Sequence, residues 1–150
     1  MLVVKLVGIA LIIVASTFIG YLKSYNLSAR CKNLSLFLDG INALYENIEQ
    51  GGETLDNAIA NAFSKCSFLI REDEKFHCCD DFFKKDKNLI DDFFKYIGLS
   101  SKKVECDRIN NFKIKVKKQI NDAENENQQK GKIYRVLGLC VGLTIAILLI

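Results

Sequence analysis

The sequence predicts an all-α protein, an antiparallel helical bundle flanked by N- and C-terminal transmembrane helices. Two apolar ends and a polar middle are the first observation: an almost unbroken apolar run extends from Leu6 to Leu22, and another from Val136 to Ile150. Between them the apolar residues recur at helical intervals. The chain also has no proline and no tryptophan, where average usage gives about seven prolines in this length, and continuous helix is the simplest explanation. These observations divide the chain into an N-terminal span (1–22), a bundle domain (23–132) and a C-terminal span (133–150).

At about 1.5 Å of rise per residue, the two apolar runs cover roughly 26 Å and 23 Å, against a hydrocarbon core of about 30 Å. Both spans are short. Leu2, Val3 and Val4 extend the first past Lys5, whose ammonium can snorkel to the head groups, and Ile133 and Tyr134 extend the second across Arg135. A cleaved secretory signal is the competing reading of the first run, because Ala15, Ser16 and Thr17 follow its apolar stretch. Hydrophobicity continues through Phe18, Ile19, Tyr21 and Leu22, beyond any cleavage point, so the segment is expected to stay. Lys23, Arg30 and Lys32 follow the first span, while Lys130, Lys132 and Arg135 border the second. By the positive-inside rule the middle then lies in the cytoplasm.

After the first span, Leu34, Phe37, Leu38, Ile41, Leu44, Tyr45 and Ile48 form one apolar face. Gly51 and Gly52 end that helix. Thr54 is a suitable N-cap for the next, whose face carries Leu55, Ala58, Ile59, Ala62, Phe63 and Cys66. From Phe68 to Ile97 one or two further helices are expected, burying Leu69, Phe76, Cys79, Phe83, Leu89, Ile90, Phe93, Phe94 and Ile97, with Gly98 as their stop. Ser100 or Ser101 then caps a last helix with the stripe Val104, Ile109, Phe112, Val116, Ile120 and Ala123. The polar stretch from Asn121 to Gln129 reads as a solvated connector, or as the part of that helix most prone to fray.

Candidate chemistry is sparse. His77-Cys78-Cys79-Asp80-Asp81 holds metal-binding residue types, but neighbours on a helix project about 100° apart and do not converge on one ion, and no second Cys or His pair stands at zinc spacing. Asp91-Asp92 and Asp80-Asp81 are paired carboxylates with a single histidine in the chain and no nucleophile motif. No glycine loop for phosphate is present. The expectation is a protein that is not an enzyme and has no cofactor and no metal. A net charge of +3 is too mild to point to nucleic acid. The six cysteines read as reduced, small core residues in a cytoplasmic domain, since Cys140 lies inside a span and leaves an odd number for pairing.

Association has more material. Ser16-x-x-x-Gly20 and Gly138-x-x-x-Gly142 carry the small-residue spacing that lets transmembrane helices approach closely. The last helix carries Lys102, Lys103, Arg108, Lys113, Lys115, Lys117 and Lys118. Of these, Lys113, Lys115, Lys117 and Lys118 are the candidate contacts for an acidic partner or anionic head groups; a plain solvated face is the alternative.

The whole chain resembles the stage III sporulation protein AB family of endospore-forming bacteria. The resemblance rests on a short anchor with Gly8 and Gly20, and on Leu44, Glu46 and Ile48 before a turn to Thr54-Leu55 and Ala58. It rests also on Gly98-Leu99 before the long helix, and above all on Lys130 to Ile150 with Tyr134, Leu137-Gly138 and Gly142. The family often has proline after the threonine, where this chain has Leu55. The resemblance implies a component of the channel machinery between mother cell and forespore, in the mother-cell membrane around the forespore, crossing it twice with the central domain cytoplasmic. It implies a helical domain similar to the F protein of type II secretion and type IV pilus systems, docking a cytoplasmic motor ATPase, stage III sporulation protein AA, beside other membrane proteins of the same channel. A channel subunit whose spans oligomerise into a pore is the second reading, although Ser16, Thr17 and Thr144 offer little to line water.

Overall fold

The computed structural model describes residues 2–51, 54–72, 75–79 and 84–149. In chain order these form α1 (Leu2–Gln50), α2 (Leu55–Ala62), β1 (Leu69–Glu72), β2 (Lys75–Cys78), α3 (Lys84–Tyr96) and α4 (Lys102–Leu149). Two compact units result: residues 1–31 with 122–150, and residues 32–121. Helices α1 and α4 each contribute to both. Asn121 to Gln129 is unbroken helix within α4, so the expected connector is regular structure.

In the first unit, the two helical segments run antiparallel. Gly20 meets Tyr134 and Gly138, Ser16 meets Gly138 and Gly142, and Arg30 meets Glu126, so rising numbers on α1 pair with falling numbers on α4. The outward faces are apolar: Leu11, Val14, Phe18, Val136, Ile147 and Leu148 are all exposed. Only 11% and 17% of the most apolar windows of α1 and α4 are buried, which distinguishes these helices from the core helices of a soluble protein. By length and composition both can cross a membrane.

The second unit has an aromatic core. Phe37 of α1 lies 5.4 Å from Phe63 and 5.6 Å from Phe93, ring centre to ring centre, and Phe93 lies 5.0 Å from Phe112 of α4. The tilted and edge-on geometry is the one aromatic quadrupoles favour. Leu34, Ile41, Leu44, Ile90, Ile109 and Val116 complete the core, each fully or almost fully buried. Helix α1 ends at Gly51 with φ +70, and the α3–α4 turn takes Gly98 at φ +81, both in the left-handed region that glycine reaches without strain. Thr54 stands at the N-cap of α2 with extended backbone, but its hydroxyl makes no cap bond. Its carbonyl accepts from Ala58 N–H at 2.9 Å.

Two expectations fail in this unit. The stretch from Phe68 to Cys79 is not helix but an antiparallel hairpin, with Leu69 opposite Cys78 and Arg71 opposite Phe76, and Cys79 N–H donating to Phe68 O at 3.0 Å. A lone two-stranded ribbon is marginal in water. This one is tied to α3, where Asp91 accepts from Cys78 N–H at 3.1 Å and Phe94 stacks on Phe76 at 5.3 Å. The other failure is Val104, which is exposed, while its neighbour Glu105 is buried and heads the stripe. Phe83 and Gly52 lie outside the described residues.

Candidate functional site

The small residues of the first unit face each other across α1 and α4. A Cβ at Gly20 would strike the Tyr134 carbonyl, and one at Gly138 would come within 2.8 Å of the Ser16 carbonyl. One at Gly142 would strike the Ser16 hydroxyl and approach the Ile13 Cα to 3.1 Å. Ser16, Gly20, Gly138 and Gly142 thus pack the chain's own two helices, so their close approach is already occupied within one molecule. In the antiparallel pairing the small residues of α1 face those of α4.

Above this crossing sits a polar layer that the sequence reading did not single out. Arg135 Nε donates to Ser24 Oγ at 3.0 Å, and Ser24 is 4% exposed. Lys23 Nζ lies 5.5 Å from the centre of the Tyr134 ring. Further along, Arg30 is buried and donates to Glu126 Oε2 at 2.7 Å, while Lys130 reaches Glu126 Oε1 at 2.6 Å. The Lys130 hydrogen bond, with the charges of Lys130 and Arg30, holds the Glu126 carboxyl below its ordinary value of 4.5, against a smaller opposing effect of burial. The same bond raises Lys130. This layer fastens the polar stretch of α4 that composition marked as prone to fray. Its signal in the sequence is Glu126 followed at i+4 by Lys130, a stabilising helical order.

On α4, Lys113 and Lys117 fall on one flank of the buried stripe, and Lys115 and Lys118 on the other, because helical residues advance about 100° each. Exposed Ile114 lies between the flanks. Lys113 covers the Tyr45 ring at 4.1 Å, and Lys117 and Lys118 are exposed. Lys102 donates to the Glu49 carbonyl at 2.7 Å, closing the end of α1. Arg108 serves the α3–α4 turn, donating to the Tyr96 carbonyl and, at 2.8 Å, to Ser100 Oγ.

His77 and Cys78 lie on β2, where consecutive side chains point to opposite faces: His77 is exposed and Cys78 buried, and Cys79 follows the strand. Asp80 and Asp81 lie outside the described residues. Among the described residues no group of three or more His, Cys, Asp and Glu side chains is placed to hold a metal ion. Burial pushes the Cys78 thiol up to about 12 and the Cys66 thiol up to about 11. Asp91 accepts from Cys78 N–H at 3.1 Å through Oδ1 and so holds the hairpin.

Two helices long and apolar enough to span a bilayer, with a compact unit between them in sequence, define the class: a helical protein with two segments able to cross a membrane. The family model described as stage III sporulation protein AB matches residues 5–72 and 75–150. The chain belongs to this family, and sporulation is the process in which it takes part. No curated protein and no solved structure matches it.

Proposed function

We propose that this protein is a non-enzymatic platform of the sporulation channel, a secretion-like assembly between mother cell and forespore. It crosses the mother-cell membrane around the forespore twice and holds residues 32–121 in the cytoplasm, where they dock the motor ATPase, stage III sporulation protein AA, and the spans meet other membrane proteins of the channel. The observation that carries this reading is the division of labour along the chain. In one unit the stretches 7–22 and 136–148 are apolar on their outer surface, while the other unit closes its own aromatic core and leaves a charged surface. Basic residues at the cytoplasmic edge of both spans support the orientation. Energy has to come from a partner, since the chain offers no phosphate-binding loop. Neither a cofactor nor nucleic acid has a place in this reading.

Copurification of the ATPase with this protein from sporulating cells tests the partnership. The flank arrangement on α4 refines it: Lys113→Glu with Lys117→Glu, and separately Lys115→Glu with Lys118→Glu, should differ in their effect if one flank meets an acidic surface. The affected pair should show weaker ATPase binding with a shallower salt dependence, and unchanged membrane insertion. Full ATPase binding in both variants would move the docking surface off α4.

A further inference from the structure

A cavity of about 330 Å³ opens between α3 and α4 of the second unit. Its walls are apolar, formed by Leu89, Phe93 and Ile97 on one side and Ile109 and Phe112 on the other. Glu105 lines it and is 3% exposed. One oxygen, Oε1, accepts from Gly98 N–H at 3.2 Å. The other, Oε2, is buried and has no hydrogen-bond partner. Arg108 Nη1 lies 3.4 Å from Oε2, close enough for ionic attraction, but Arg108 directs its hydrogen bonds to Tyr96 O and Ser100 Oγ. An unsatisfied buried carboxylate oxygen costs more than an unmade bond at the surface, and a donor entering the cavity would relieve it.

We propose that this cavity is a docking pocket for a tyrosine side chain presented by a partner protein. A donor is needed at Glu105 Oε2, and a phenol O–H supplies one. The charges around the cavity cancel, Glu105 and Asp92 against Arg108 and Lys115, so it has no net attraction for a cation or an anion. A neutral donor with a large apolar body suits the walls, and Phe93 and Phe112 offer ring faces and edges to a third ring. The volume sits at the low end for ligand sites and fits one side chain better than a whole cofactor. Of the lining residues, Tyr96 is 48% exposed and Asp92 and Lys115 are exposed as well, a largely polar edge around an apolar interior, as protein interfaces have. Lys115 connects the pocket to one lysine flank of α4. The proposal rests on the reading that residues 32–121 dock a partner, and not on which protein that partner is.

The test uses the full chain in lipid nanodiscs, with 3-fluorophenylalanine incorporated and read by fluorine resonance. N-acetyl-tyrosine amide should shift the Phe93 and Phe112 signals saturably, and about tenfold more tightly than N-acetyl-phenylalanine amide, as loss of one hydrogen bond to a charged group implies. Glu105→Gln keeps an acceptor for Gly98 N–H but meets the phenol with an uncharged amide N–H, to which the phenol oxygen can only accept, and should cut the preference for tyrosine to a few-fold. Leu89→Phe, which fills the cavity without altering charge, should weaken both amides. No saturable shift, as when water alone answers Glu105, or equal affinity for the two amides would overturn the proposal. The titration contains no ATPase, so its failure leaves the coupling reading standing, and failure to copurify the ATPase leaves the pocket standing.

Discussion

The two units are held together by opposite means. Residues 32–121 close around large rings, with Phe37, Phe63 and Phe93 buried in contact, and their cohesion comes from removing apolar surface from water. In the unit formed by 1–31 and 122–150, large apolar side chains point outward, and the interface is made of Gly20, Gly138, Gly142, Ser16 and Ser24, with Leu27, Ala123 and Ala146. Such packing suits a lipid surrounding: lipid is as apolar as leucine, so burying leucine between helices in it gains little, and close backbone contact and hydrogen bonds take over. One chain thus carries both packing rules, large rings in one unit and small residues in the other. The same residue type changes role accordingly: Gly40 makes room for the Phe63 ring, whose Cδ1 would lie 2.5 Å from an added Cβ, whereas Gly20 makes room for another helix's backbone.

The sharpest way to break this comparison is Phe93→Asp, which buries an unpaired charge among the rings of Phe37, Phe63, Phe94 and Phe112. Hydrogen exchange should show protection lost across 32–121 and kept across 7–31 and 122–148; loss in both would mean that the small-residue interface cannot stand without the aromatic one. Next in size, Gly20→Leu with Gly138→Leu forces side chains into backbone, at a cost of several kcal/mol by the usual overpacking scale of about 1–3 each. Spin labels at exposed Leu22 and Ile133 should then move apart, while the thermal transition of the aromatic unit stays in place. An unchanged distance would show that the glycines are not what sets helix separation.

Glu126→Gln sharpens the polar side of the comparison. It removes the charge that meets buried Arg30 and should cost about 1–2 kcal/mol in detergent-solubilised protein. Because Glu126 is held below its ordinary value in the folded protein, its contribution is present above pH 4.5 and is lost as the pH falls through the depressed value. The gap in melting temperature between wild type and variant should therefore close in acid; a gap independent of pH would assign the effect to packing. The smallest effect concerns the thiols. Cys66 and Cys78, raised by burial to about 11 and about 12, should be alkylated more slowly at pH 8 than half-buried Cys79 and Cys106. Their contribution to stability is constant below pH 9 and falls as pH rises from 9 towards those values. Mass mapping of the alkylated sites checks the order, and a faster Cys78 than Cys79 would place the hairpin wrongly on α3.

Much of the fold was legible from periodicity. The faces of Leu34 to Ile48 and of Leu55 to Cys66 are the faces buried against the aromatic core, Gly51 and Gly98 are the stops, and Thr54 and Ser101 immediately precede α2 and α4, because these depend on local spacing and local backbone preference. The hairpin was not legible. Leu69 to Cys78 carries no Asn-Gly or Gly-Gly turn signal, and a strand of four residues exists only because α3 supplies Asp91 and Phe94 to it. Glu105 was likewise hidden, since nothing in Lys102-Lys103-Val104-Glu105 tells which neighbour turns inward until the Gly98 N–H is brought to its carboxylate.

The sequence by itself determined that both ends can enter a membrane, that helices dominate the middle, and to which family the chain belongs, for these are properties of composition and of order along the chain. Tertiary structure decided which partner each polar or small residue meets: Arg30 with Glu126, Ser24 with Arg135, Ser16 and Gly20 with Gly138 and Gly142. The physical reason is range. Helix phase is written every three or four residues, whereas these pairs join positions about a hundred residues apart, and only the antiparallel packing of α1 on α4 sets the register between them.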